Sequence, residues 1–246
     1  MLPIRNAVPI RYPPVVTWAL ILANALVFLI QIGLGPVELN EFLFRFALIP
    51  ARYFEPLAFG QESLSASDFL PFFTMMFLHG GWLHLILNMW MLWLFGPVIE
   101  DRLGHGAYLV FYAACGVAAA IAHVFFNPTS TVPAVGASGA IAGVLGCYVC
   151  LFPFARLIVL VPIIFIPLFF EVPALVFVFI WFILQVLQGT AESLAPSAGA
   201  GVAWWAHIGG FLAGLLIGPL LRRPKRTYRA YYPDEGILGF DPMGRP

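Results

Sequence analysis

Charge is what this sequence has least of. Only 10% of its 246 residues are Asp, Glu, Lys or Arg, whereas 61% are hydrophobic. A soluble globular domain carries about 25% charged and 45–50% apolar residues, so the composition excludes one and points to a polytopic membrane protein. The 12 basic and 12 acidic residues cancel, which leaves no basic field for nucleic acid. Cysteine is scarce as well. Cys115, Cys147 and Cys150 lie in apolar runs without metal-ligand spacing, the setting of packing residues and not of a disulfide framework or a metal site. No HExxH pattern occurs, and His79 with His84 is too little to hold zinc. The opening MLPIRNAVPIRYPP is basic and proline-rich, and no small-residue cleavage site follows the first apolar segment. No secretory signal is expected.

What is present is one apolar run after another. A helix needs about 20 apolar residues to cross a bilayer, with roughly 17–25 tolerated. Segments 15–34, 76–98, 107–125, 173–188 and 203–221 qualify, and 138–153 is shorter but wholly apolar. The stretch RLIVLVPIIFIPLFFEV, residues 156–172, is apolar enough to cross, but Pro162 and Pro167 recur through it and Pro173 follows. Proline at that density opposes a straight helix, so this stretch reads as an interfacial loop leading into the fifth span. Charge favours six spans. With a cytoplasmic N-terminus, ten of the twelve Lys and Arg fall inside and only Arg45 and Arg52 outside, the positive-inside pattern. A seventh span would throw the tail cluster Arg222, Arg223, Lys225, Arg226 and Arg229 outside.

The expectation is an all-α membrane protein in three parts: a cytoplasmic N-terminal segment 1–14, a six-helix membrane domain 15–221, and a basic, weakly ordered cytoplasmic tail 222–246. The first external segment, about 36–75, is too long for a mere connection. Its bulky apolar residues, mixed with Arg45, Arg52 and Glu55, place it partly in the bilayer interface.

Few polar side chains lie within the spans, and they are not scattered. The second, fourth and sixth spans all enter from outside in this topology. Ser138, in VGASGAIAG, opens the fourth. His207, in WWAHIGGFLAGLLIG, lies about a turn into the sixth. His84 and Asn88, in HGGWLHLILNMW, share one face of the second at i, i+4 spacing. Taken singly, the serine suits packing or capping, the histidines an interhelical hydrogen bond, and the asparagine polar glue. Together they converge on one external-side locus, and polar groups in a bilayer are costly. Gly139, Gly143 and Gly146 stripe the fourth span, and Gly210, Gly214 and Gly218 the sixth. Such stripes let helix backbones approach closely, which would bring the Ser138 hydroxyl to His207. Serine is a weak nucleophile until a base takes its proton, and histidine is the usual base. Gly136 and Gly139 leave the backbone around Ser138 uncrowded. The Ser138 N–H, His84 and the Asn88 amide would then surround a developing oxyanion.

Three motifs carry a resemblance. Gly136-Ala137-Ser138-Gly139, the His84-x-x-x-Asn88 pair, and Ala206-His207-x-x-Gly210-x-x-x-Gly214 resemble the rhomboid family of intramembrane serine proteases, in order and spacing over about residues 70 to 221. The resemblance implies a six-helix rhomboid-like bundle, Ser138 as nucleophile, His207 as base, and Asn88 and His84 on the oxyanion side. It implies cleavage of single-span membrane proteins near the outer membrane face, with the lipid bilayer as the other partner and no metal or cofactor. A multi-pass protein of a bacterial inner membrane is the expected setting. Two departures stand out. The Trp-Arg pair that many members carry in the first external loop is missing from DFLPFFTMMFLHGGW, and the tyrosine that some place a turn after the serine is Ala142. Neither removes a catalytic group. No acidic residue accompanies the pair at its depth, so a Ser–His dyad is expected and not a triad. A transport pathway, the competing reading, needs polar groups in both halves of the bilayer. The inner halves of the fourth and sixth spans offer almost none. The Gly-, Ala- and Ser-rich loop 188–204 and the bulky fifth span are the expected route for lateral substrate entry.

Overall fold

The computed structural model describes residues 2–60, 62–163, 166–194 and 202–221. Its helices are α1 (Val15–Gly33), α2 (Pro36–Phe46), α3 (Pro71–Thr74), α4 (Trp82–Leu103), α5 (His105–Phe126), α6 (Ser138–Leu151), α7 (Ala174–Leu194) and α8 (Trp204–Leu221). Five of the described helices, α1, α4, α5, α7 and α8, are long and apolar enough to cross a membrane. The apolar α6, at 14 residues, is shorter. These six alternate in direction and form a rhomboid-like bundle. The tail 222–246 and the loop 195–201 lie outside the described residues.

The shortest of these six helices is the centre of the bundle. Every residue of α6 from Gly139 to Val149 is buried, which suits a helix apolar on all faces. Its contact with α8 is backbone on backbone. A β-carbon at Gly210 would run into the Gly139 carbonyl oxygen, one at Gly214 into the Gly143 carbonyl, and one at Gly218 into the Cys147 sulfur. Cys115 from α5 fills the space that a β-carbon at Gly143 would need. All three cysteines are free, and Cys115 and Cys147 are buried.

The stretch read as an interfacial loop forms strands instead. β1 (Leu2–Asn6), β2 (Arg156–Ile163) and β3 (Ile166–Pro173) make an antiparallel sheet in the order β1-β2-β3. Prolines exclude a helix here but not a strand, because each sits where a ladder N–H is dispensable. Pro3 and Pro167 are on edge strands, and Pro162 lies beyond Leu160, where β1 stops pairing with β2. Val, Ile and Phe supply the strand preference. The N-terminal segment is thereby tied to the bundle. The Trp90 indole N–H donates to the Pro3 carbonyl (2.8 Å), and the Tyr148 hydroxyl donates to Asn6 Oδ1 (2.7 Å).

The bounds of two helices, three ends in all, also differ from expectation. α4 starts at Trp82 because the chain makes one 3-10 turn at Met75–Phe77 and then extends through Leu78. It continues to Leu103, past Glu100 and Asp101, because both carboxylates have partners. Glu100 accepts the Val16 N–H (2.8 Å), the Thr17 N–H (2.8 Å) and the Thr17 hydroxyl (2.7 Å), and His105 Nδ1 lies 2.6 Å away. These are donors that the start of α1 cannot satisfy within itself. Asp101 accepts the Arg11 and Tyr12 N–H groups, each at 3.0 Å. α7 runs to Leu194, its last turn supported by Thr190 and Ser193 hydroxyls bonding back to Val186 and Gly189 carbonyls.

Candidate active site

The segment leading into α6 is held at several points. Leu48 and Ala134 exchange backbone hydrogen bonds (3.1 and 2.8 Å), and the Gly136 N–H donates to the Met75 carbonyl (2.9 Å). Gly136 has φ +129°, a conformation that side chains disfavour. A β-carbon there would also lie 2.8 Å from His84 Nε2. So the His84 ring rests directly over the Gly136 backbone. Two residues on, Ser138 is the first residue of α6, and its N–H has no intrahelical carbonyl to meet. Both Ser138 and His207 are half-buried.

The close α6–α8 contact brings their side chains together. His207 Nε2 lies 2.8 Å from Ser138 Oγ. The ring is flanked by Trp181 and Trp204, with centroids 6.1 and 6.2 Å away. Ala142, 1% exposed, has no room for a larger ring without repacking.

On α4, His84 and Asn88 sit one turn apart on a common face. The Gly80 N–H donates to His84 Nδ1 (3.4 Å), which puts the proton of a neutral His84 ring on Nε2, the nitrogen beside Gly136. Asn88 is 7% exposed, and its amide nitrogen has no hydrogen-bond partner among the described residues. His79, in the loop ahead of α4, has its backbone clamped by Gln31, which accepts its N–H (3.0 Å) and donates to its carbonyl (3.2 Å). Its ring is buried. Burial, and then the neighbouring His84, push its pKa down to about 4, so the ring stays neutral. Among the described residues no group of three His, Cys, Asp or Glu is placed to hold a metal ion.

The sequence reading missed one member of this cluster. Gln185, on α7 and 6% exposed, has Oε1 2.7 Å from His207 Nδ1. Its signal in the sequence is an amide within an apolar, aromatic span, but Gln188 is another, and nothing local pairs either with His207. In the first loop, buried Arg52 sits over the Phe44 ring (4.1 Å) and donates to the Phe44 carbonyl (2.7 Å). Phe54, Leu57, Phe69 and Phe73 are exposed on the same loop.

These features define a multi-pass helical membrane protein with a serine–histidine pair at one end of its central helix. A family model of the rhomboid domain matches residues 66–224, and the chain belongs to the rhomboid family. It is similar to the mitochondrial rhomboid protein 1 of Saccharomyces cerevisiae, 30% identical over 58% of this chain and 39% of that protein. The rhomboid protease GluP of Bacillus subtilis is 37% identical over 37% of this chain and 18% of its own length. The putative rhomboid protease YdcA of the same organism is 40% identical over 30% of this chain and 37% of its own. The matches thus span less than two-fifths of each of these relatives.

Proposed function

We propose that this chain is an intramembrane serine endopeptidase that cleaves single-span membrane proteins with a Ser138–His207 pair. The observation that carries this reading is the 2.8 Å contact between Ser138 Oγ and His207 Nε2 where α6 meets α8. Ser138 Oγ attacks the scissile carbonyl carbon while His207 Nε2 takes the hydroxyl proton. The carbonyl oxygen, now an anion, receives hydrogen bonds from the Ser138 N–H, the Asn88 amide and His84 Nε2. An unpaired Asn88 donor suits that task, because a charge arrives only when the reaction runs. Gly136 lets the His84 ring lie over its backbone, Gly139 lets α6 close on Ala119 of α5, and Gly210 and Gly214 hold α8 against α6. The C–N bond then breaks, with the imidazolium returning its proton to the leaving amine. Water, deprotonated by the same His207, hydrolyses the acyl-serine ester and regenerates the hydroxyl. No step calls for a metal or a cofactor.

The distribution of Lys and Arg supports an orientation with the Ser138 end of the bundle on the outer face and both termini in the cytoplasm, as in a bacterial inner membrane. The exposed aromatic residues of the first loop rest in the outer interface. Substrate enters beside α7. The test is incubation of the purified chain in lipid vesicles with a single-span model substrate, beside Ser138→Ala. The parent should cleave the substrate and take up a fluorophosphonate at Ser138. A folded Ser138→Ala protein that cleaves at the parent rate ends the assignment.

A further inference from the structure

We propose that Gln185 is a positioning residue that sets the tautomer of His207 and so makes the seating of α7 a condition of Ser138 reactivity. The inference rests on the reading of Ser138 and His207 as nucleophile and base. A neutral imidazole carries one proton on its two nitrogens. His207 can accept from the Ser138 hydroxyl only if Nε2 is bare, which requires the proton on Nδ1. Gln185 enforces that choice. Its amide nitrogen donates to the Trp181 carbonyl (3.3 Å), and a carbonyl can only accept. That contact orients the amide, so Oε1 is the atom 2.7 Å from His207 Nδ1. An amide oxygen in turn can only accept, so Nδ1 must be the donor.

The arrangement has the logic of a triad with a neutral third member: it orients the base and places no charge in the apolar interior. It also crosses between helices of unequal hold. His207 is on α8, whose glycines abut the α6 backbone. Gln185 is on α7, which meets α8 through aromatic side chains, Phe182 on Phe211 at 4.6 Å and Trp181 on Phe211 at 6.0 Å. Displacement of α7 lengthens the Gln185 contact while leaving the Ser138–His207 pair on its own rigid support.

The test uses the full chain in lipid vesicles. Gln185→Met keeps length and apolar volume but removes the acceptor. Its kcat for a single-span substrate should fall about 10–100-fold, short of the ~10⁴-fold loss that a wrong tautomer causes in a serine triad. KM should stay within about 2-fold, because the contact is not to substrate. Fluorophosphonate labelling of Ser138 should slow in parallel. Gln185→Glu, with an acceptor at the same reach, should recover most of the rate. Nitrogen-15 spectra of the His207 ring should show Nδ1 protonated in the parent and a mixture of tautomers in Gln185→Met, a signature that a packing role would not produce. Parent labelling rates and an unchanged ring spectrum in Gln185→Met overturn the inference. Ser138→Ala run alongside separates the two failures. If it cleaves, the nucleophile reading has failed; if it is inert while Gln185→Met matches the parent, only the role of Gln185 has.

Discussion

Two buried polar clusters sit at opposite ends of this bundle, and they are finished to different degrees. Around Glu100, four donors from α1 and the α4–α5 junction meet two carboxylate oxygens. Both Glu100 oxygens are satisfied within the fold. Around Ser138, the chain from Gln185 through His207 is aligned but ends in a half-buried hydroxyl, and the Asn88 amide nitrogen has no acceptor among the described residues. An unpaired polar atom does not by itself mark a site. The Tyr112 hydroxyl also has no partner among the described residues, but its side chain is fully enclosed. What distinguishes the Ser138 cluster is that its unpaired amide belongs to a group whose Ser138 and His207 side chains are only half-buried. The Glu100 cluster holds the fold together, and the Ser138 cluster is free to act.

Substitutions at each cluster sharpen the contrast. The largest effect should come from Gly214→Leu, which forces a side chain into the Gly143 carbonyl and parts α6 from α8. Overpacking usually costs about 1–3 kcal/mol, but here the obstacle is backbone, so both the thermal transition and all cleavage should be lost. Retained activity would show that the α6–α8 contact does not hold the pair. Glu100→Ala should lower stability by about 3–5 kcal/mol, as removing one side of a buried polar set does, with kcat per folded molecule unchanged. Thermal unfolding and active-site titration would check it. A fall in kcat with stability intact would mean that the two clusters are coupled. Asn88→Ala should do the reverse. With no partner to lose at its amide nitrogen, the melting temperature should stay near the parent's while kcat falls about 10²–10³-fold. A raised KM with kcat preserved would make Asn88 a docking residue. Thr17→Val should be mildest, losing the hydroxyl bond to Glu100 for about 1 kcal/mol of stability, with no change in cleavage.

Much of this contrast can be read from the residues alone, but unevenly. The six helices and the rhomboid motifs are legible because apolar run length and fixed glycine spacing are local properties. The α6–α8 contact is legible for the same reason, since only glycine at every fourth position lets two carbonyl-bearing backbones touch. The hairpin at 156–173 is not, because its prolines argue against a helix without saying what replaces it. The deciding fact, that Pro162 falls beyond the reach of β1, is a matter of strand register with a segment some 150 residues away. Asn6 bonding to Tyr148 and Glu100 capping α1 are hidden likewise, being pairings between distant segments. Gln185 is a different case. An amide amid Phe and Trp in a membrane helix is visible, but its partner emerges only when α7 is set against α8.

The central claim is that the α6–α8 contact makes Ser138 and His207 one proton-transfer unit, and a double-mutant cycle tests it most directly. Cleavage rates are measured for the parent, Ser138→Ala, His207→Ala and the double variant, all shown to be folded. A single unit predicts that the three variants fall to a common floor, because removing the second member of a broken pair loses nothing more. Losses that multiply in the double variant, or a Ser138→Ala protein that still cleaves at the parent rate, would contradict it.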